Sequence, residues 1–165
     1  PIPFKNPMGI ALHKNQLAVA GLDEICFFSG NTSVVDSLKY NEKKIDQVYV
    51  FRGAFNTSSL DIHDISYGKK GIWGVNTLFS CLCTFDVRYN FVPKWKPSFI
   101  SELIPEDRCH LNGLAMLNGE PKYVTALSST DDKEGWRKDI MNSGVVIDVV
   151  SNEIIIEAMP MLQCQ

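Results

Sequence analysis

The sequence predicts an all-β fold, and within that class a partial β-propeller of about three four-stranded antiparallel blades. Three segments share one pattern, in which a short apolar run, a polar turn and a second apolar run are followed by two further strand-like runs. The segments begin at Gly9, Asp64 and Gly113, which are 55 and 49 residues apart. Units of four strands near this period are typical of propeller blades.

The two inner strands of each predicted blade form a hairpin. The paired runs are residues 9–12 with 17–20, 64–67 with 72–75, and 113–116 with 123–126. Turns that contain Gly, Asn and Lys separate the members of each pair, as expected for hairpins. The third strands are predicted over residues 24–28, 80–86 and 144–149, and the outer strands over 47–51, 91–95 and 153–158. Pro93 suits an outer strand, because an edge strand can lack a hydrogen-bond donor.

These units place the blades at approximately residues 7–58, 60–104 and 110–160, in a single domain. A generic β-sandwich of about a dozen short strands is the alternative, although a sandwich does not require internal repetition. Propellers typically need about four to eight blades to close a ring. We therefore expect the protein to continue beyond this C-terminus, and we expect the isolated chain to expose blade edges.

Composition excludes several classes of function. Hydrophobic residues make up 45% of the chain and charged residues 21%, which is typical of a globular protein. The net charge of -3 and the absence of a basic stripe argue against nucleic acid as a partner. No apolar run is long enough to span a membrane. The five cysteines show no zinc-binding spacing, Cys81 and Cys83 fit a buried strand face, and reduced thiols favour a cytoplasmic location.

The predicted hairpins place many polar residues on one face, which we call the axial face. It is the face where the first strand of each blade begins and the second strand ends. The candidate ligand-binding residues there are His63, Asp64, Asn76, Arg108, His110, Asn112, Asp131, Trp136 and Arg137. His13 lies in a hairpin turn and is expected on the opposite face.

The chemistry of these candidates suits a polar small molecule or a divalent cation. Histidine exchanges protons near neutral pH and also binds metals, and either Asp61 or Asp64 is placed to orient it. Each histidine alone also suits a structural role in which it satisfies loop carbonyls. The long insertion of residues 128–143 adds Trp136, whose ring offers a flat apolar surface, and Arg137, whose planar guanidinium can bind a carboxylate or phosphate. The alternative is a solvated surface loop with Trp136 folded back on the blade.

Several ordered motifs of this chain resemble a family of conserved hypothetical proteins, a domain of unknown function found mainly in microbes. The motifs are LDIHDI (60–65), WGVNTLFSCL (73–82), FVPKWKPSFI (91–100), PEDRCHLNGL (105–114), YVTAL (123–127) and GWR (135–137). The resemblance covers nearly the whole chain, implies that family members extend well past residue 165, and carries no assigned activity. Residues 112–115 and 123–125 also show a weaker similarity to gluconolactonase-like propellers, which hold an axial divalent cation; their carboxylate pattern is not matched here.

Two classes of function follow from the sequence. The first is an uncharacterised propeller domain that binds a polar small molecule or a divalent cation at the axial face, with hydrolysis as an open extension. The second is a non-catalytic scaffold whose loops recognise a protein partner. Clustered titratable residues favour the first class, and the lack of a recognisable nucleophile–base pair or metal motif favours the second.

Overall fold

A computed structural model describes residues 3–33, 35, 39–40 and 42–159. The first four-stranded sheet begins with β1 (Ile10–His13), β2 (Gln16–Ala20) and β3 (Glu24–Asn31). The connection then forms a separate two-stranded ladder, β4 (Lys39–Tyr40) and β5 (Lys43–Lys44), where the sequence analysis places only a loop. β6 (Val48–Asn56) pairs with β3 and completes the first sheet in the order β1-β2-β3-β6.

The second and third sheets are built from consecutive strands. The second contains β7 (Ile62–Gly68), β8 (Gly71–Asn76), β9 (Cys81–Asp86) and β10 (Tyr89–Trp95). The third contains β11 (Leu111–Leu117), β12 (Glu120–Ala126), β13 (Gly144–Asp148) and β14 (Glu153–Met159). All pairings are antiparallel, and β10 lies at the edge of its sheet, which confirms the outer position inferred from Pro93.

The predicted fold class is confirmed: the chain is all-β, with three four-stranded antiparallel sheets arranged as in part of a propeller. The first strands of the sheets are neighbours, because β7 contacts both β1 and β11. A four-residue 3-10 helix, Gly135–Lys138, lies in the insertion between β12 and β13. Among the described residues, no helix combines the length and apolar character that crossing a membrane would require.

Turn chemistry explains how a hairpin is set in register. Asn118 and Gly119 connect β11 to β12, and both have left-handed backbones, with φ of 52° and 75°. Asn tolerates this region and Gly enters it without steric cost, and the mirror-image turn that results matches the twist of paired strands. The Asn-Gly pair therefore closes this hairpin with Leu117 opposite Glu120.

Two apolar clusters join the sheets. Between the first and second sheets, Ala18 and Ile25 pack with Ile62, Cys81 and Cys83, all of them buried. Between the second and third sheets, the buried side chains are Val75, Leu82, Ile100, Cys109, Leu111, Val124, Ala126, Val145 and Ile147. Alternating residues of the second sheet thus face opposite neighbours, as strand geometry requires.

The cysteines of this core confirm the interpretation of Cys81 and Cys83 as small apolar residues. Both are fully buried. Burial raises the pKa of Cys81 to about 12 and that of Cys83 well above its usual value, because desolvation disfavours the thiolate. These thiols are therefore structural rather than reactive at neutral pH.

Candidate functional site

The candidate site lies where β7 and β11 begin. The residues that precede these strands, Asp61 and His110, both have left-handed backbones, with φ of 54° and 51°. Each loop is tied to the end of the next strand: Thr77 donates its N–H to the carbonyl of Asp61 (3.2 Å), and Leu127 donates to that of His110 (3.3 Å). The two loops consequently share the axial face.

His63 and His110 meet at this face and form what we call the histidine pair. Their ring centroids are 4.7 Å apart and their planes are nearly perpendicular, at 87°. Both side chains are largely buried, with 11% and 13% exposed. The convergence expected from the hairpin geometry is therefore observed.

Each histidine has its own carboxylate. Asp61 Oδ2 lies 3.3 Å from Nε2 of His63, and Asp107 Oδ2 lies 2.8 Å from Nδ1 of His110. Because an ionised carboxylate only accepts hydrogen bonds, these contacts place protons on Nε2 of His63 and Nδ1 of His110. The hydrogen bond from His63 lowers the pKa of Asp61, and the charges of both histidines add to that effect against the opposing cost of burial.

Asp107 also holds the insertion against the histidine pair. Its Oδ2 accepts a second hydrogen bond, from Nε1 of Trp136 (2.9 Å). The Trp136 ring packs on His110 with centroids 4.2 Å apart, and only 3% of the residue is exposed. The expected open apolar surface at Trp136 is thus absent: the indole is a buried wall of the site. The guanidinium of Arg137 lies 4.2 Å from the centroid of the same ring.

The other nitrogen of each imidazole remains available. Nδ1 of His63 and Nε2 of His110 have no hydrogen-bond partner among the described residues, and neither atom is fully buried. By contrast, Oδ1 of Asp107 and Nδ2 of Asn76 are buried and have no hydrogen-bond partner among the described residues. Buried polar groups are normally satisfied, so a site with this many unused ones is suited to a polar ligand or to water.

Arg108 and Asp131 bind each other instead of facing the histidine pair. The guanidinium of Arg108 contacts Asp131 Oδ1 (2.7 Å), Glu106 Oε2 (2.9 Å) and the hydroxyl of Ser101 (2.9 Å). The hydrogen bonds to Asp131 and then to Glu106 raise the pKa of Arg108. Hydrogen bonds from Ser101, and after them the one from Arg108, lower the pKa of Asp131. Their arrangement fastens the insertion to the loop before β11.

Two further candidates have structural partners. Asn76 is fully buried and accepts a hydrogen bond from the N–H of Phe79 (3.1 Å) in the turn after β8. Asp64 accepts backbone hydrogen bonds from Ile65 and Leu114, both at 2.8 Å. Asp64 therefore does not orient a histidine; Asp61 and Asp107 do. Asn112 is partly buried on β11, next to His110 and Leu111.

The remaining predictions concern metals and His13. Within residues 3–33, 35, 39–40 and 42–159, no group of three or more His, Cys, Asp or Glu side chains is arranged to hold a metal ion. Asp132 in the insertion pairs with Lys138 at 2.7 Å. His13 ends β1, and its ring lies 5.7 Å from that of Tyr67 near the end of β7, on the face opposite the histidine pair.

Sequence reasoning missed Asp107, whose Oδ2 is hydrogen-bonded to both His110 and Trp136. The available signal was an acid three residues before a histidine in a loop that precedes a strand. That spacing lets the two side chains meet only if the chain turns sharply between them. The left-handed backbones of Asp107 and His110, with φ of 46° and 51°, provide the turn.

Comparison with known proteins identifies a family to which no activity is assigned. No curated protein and no solved structure matches this chain, so the likeness to gluconolactonase-like propellers stays a prediction. One family model, described as a domain of unknown function (DUF4915), matches residues 2–162. With nearly its whole length matched, the chain belongs to the DUF4915 family.

Proposed function

We propose that this domain binds a small polar molecule at the axial face through the histidine pair. The observation that carries the proposal is that two largely buried histidines, each oriented by its own carboxylate, meet edge to face beside a buried tryptophan. A purely structural histidine needs one satisfied hydrogen bond, whereas this arrangement fixes two rings and leaves one nitrogen of each for a ligand.

The chemistry of the pair defines the ligand class. Each imidazole donates to its carboxylate and so presents an acceptor nitrogen to the site, or a second donor once it is protonated. A ligand hydroxyl can donate to the acceptor nitrogen of a neutral imidazole, and a ligand carboxylate can accept a hydrogen bond from a protonated one. Hydrolysis is a weaker extension of the proposal, because no group of three or more metal-ligating side chains accompanies the pair in the part of the chain that the structure describes.

The test compares three single variants, one for each histidine. His63→Gln and His110→Gln remove the imidazoles of the pair, and His13→Gln is the matched control on the opposite face. Ligand-observed NMR with a library of small hydroxy acids and polyols should find compounds that bind the wild-type chain and the His13→Gln variant. We expect both variants of the pair to weaken those compounds at least about tenfold, the effect of about 1.4 kcal/mol.

A change in stability must be separated from a change in binding. His63→Gln and His110→Gln each lose a contact to Asp61 or Asp107, so we expect them to be less stable than His13→Gln by about 1–3 kcal/mol but still folded at the temperature of the binding experiment. If all four proteins bind the same compounds equally, or if no compound binds, the proposal is wrong. Titration of the same proteins with Zn²⁺ tests whether the axial face binds a divalent cation, the alternative ligand that the sequence predicts.

A second function, a scaffold for protein association, is favoured by one specific observation. The face of the first sheet that points away from the second sheet carries exposed apolar side chains, including Ile10 and Leu12, which are 66% and 62% exposed. Patches of this kind are typical of interaction surfaces.

A further inference from the structure

A large groove lies between the first and second sheets, at the end of the molecule opposite the histidine pair. Its volume is about 970 Å³. Gln16 at the start of β2, Lys70 in the β7–β8 turn and Glu120 at the start of β12 mark this turn-bearing end. The size falls in the range of small-molecule sites, about 300–1,000 Å³. We call it the inter-sheet groove.

Aromatic side chains form the walls of the inter-sheet groove. Phe27 and Phe55 of the first sheet contact each other edge to face, with ring centroids 5.4 Å apart. Tyr67 and Phe85 line the groove from the second sheet. Phe85 is held in place over Gly74, where an added Cβ would lie 2.7 Å from its ring. These rings are partly buried and provide a preformed apolar surface for a flat molecule.

Cationic side chains surround these walls. Four basic residues line the groove, against two acids, in a chain whose net charge is -3; the basic residues are Arg52, Lys70, Arg88 and Lys94. Both acids already have cations: Asp86 accepts two hydrogen bonds from the Arg88 guanidinium, at 3.0 and 3.1 Å, and Glu120 lies 3.9 Å from Lys69. Arg52, Lys70 and Lys94 form no ion pair with any described residue. The groove therefore carries unbalanced positive charge.

We propose that the inter-sheet groove binds a planar aromatic anion. The ring system would lie against the phenylalanine walls, and a carboxylate or phosphate group would face the cations at the rim. Aromatic stacking supplies contact area, and the excess of positive charge selects an anion over a neutral molecule of the same shape. This site is separate from the histidine pair and does not depend on it.

Calorimetric titration with 2-naphthoate tests the proposal, with the neutral 2-naphthamide as the matched ligand. We expect 2-naphthoate to bind, and to bind at least about threefold more tightly than 2-naphthamide. Added salt should reduce this difference, because it shortens the Debye length, which is about 10 Å at 0.1 M ionic strength, and so weakens the attraction between exposed charges. Arg52→Gln and Lys94→Gln should each weaken 2-naphthoate about threefold to tenfold without affecting 2-naphthamide.

Two control variants keep the test specific. Lys69→Gln removes a neighbouring lysine that pairs with Glu120 and does not line the groove, and His110→Gln changes the histidine pair. Lys69→Gln should bind 2-naphthoate as the wild-type chain does, and any binding that His110→Gln loses belongs to the histidine pair and not to the inter-sheet groove. The proposal is overturned if 2-naphthoate fails to bind up to its solubility limit, if 2-naphthamide binds equally well, or if Lys69→Gln weakens binding as much as Arg52→Gln.

Discussion

Asp107 shows how single residues organise the axial face. One oxygen accepts hydrogen bonds from both His110 and Trp136, while the other is buried without a partner among the described residues. The backbones around it are left-handed at four non-glycine residues, namely Asp61, Asp107, His110 and Glu134. Such conformations cost about 1–3 kcal/mol each and persist where surrounding contacts over-determine them, often at functional sites.

Asp107→Asn should destabilise the protein by about 1–3 kcal/mol, the usual cost of unpaired buried polar groups. In one orientation the new amide places a buried NH₂ where no acceptor is available, and in the other it turns NH₂ towards two donors. Urea unfolding measures the loss. Asp132→Asn is the matched control, because its side chain is 70% exposed and should change stability by less than about 0.5 kcal/mol. Equal effects of the two variants would contradict the role given to Asp107.

At the scale of elements, Asp64 joins two neighbouring first strands. It lies on β7 directly after an irregularity in the pairing with β8, and its Oδ2 accepts the N–H of Leu114 on β11. β11 has a similar irregularity between Leu111 and Leu114. Because a bulge leaves backbone groups unpaired within its own sheet, a side chain of the adjacent sheet can satisfy them. Asp64 thus connects the second sheet to the third.

Asp64→Asn should change how stability depends on pH. Burial raises the pKa of Asp64 in the folded state, although the N–H groups of Leu114 and Ile65 oppose the shift. The folded state then holds its proton at higher pH than the unfolded state, so the stability that Asp64 contributes is present at low pH and is lost as pH rises through the raised pKa. Asparagine does not titrate.

Urea unfolding from about pH 3 to about pH 6 measures this dependence. The free energy of unfolding of the wild-type chain, relative to Asp64→Asn, should decrease as pH rises. A constant offset from the lost acceptor oxygen leaves that slope unaffected. If the difference is flat or increases with pH, burial does not control this carboxyl group. Asp132→Asn again provides an exposed carboxyl group for comparison.

At the scale of the whole molecule, the first sheet has one covered and one open face. Ala11 points towards the second sheet and is buried, whereas Ile10 and Leu12 alternate with it and point away. Strand pairing continues this face through Leu17 and Phe28 to Phe51, which is 47% exposed. Phe4 packs on Phe28 and buries it, so the exposed part of the face lies at Ile10, Leu12 and Phe51. Both faces of the second sheet carry apolar residues of this kind, and there they are buried against the first and third sheets.

We expect the chain to associate with a second copy of itself through this open face. Light scattering after size-exclusion chromatography should give a mass above that of a monomer, rising with concentration. Replacing Ile10 and Leu12 together by Ser should shift the chain towards monomer. Val87→Ser is the matched control, because Val87 is 89% exposed but lies in the β9–β10 turn, away from this face. A wild-type chain that stays monomeric would rule out this interface.

Local sequence patterns were sufficient to predict the sheets, because alternation of apolar residues and turn chemistry act within a few residues. The strands, the edge position of β10 and the core role of Cys81 and Cys83 all follow from such patterns. Antiparallel pairing then predicts which end of the molecule each loop occupies. This is why the meeting of His63 with His110 could be anticipated.

Only the tertiary structure shows which acids orient the histidines and where the insertion packs. Strand alternation gives no direction for side chains in loops, and left-handed residues such as Asp61 and His110 reverse the local chain path. Asp64 consequently turns to the backbone of β11, while Asp107 reaches His110 and Trp136. These contacts join segments up to 50 residues apart in the sequence, so they depend on how the sheets pack and not on any local pattern.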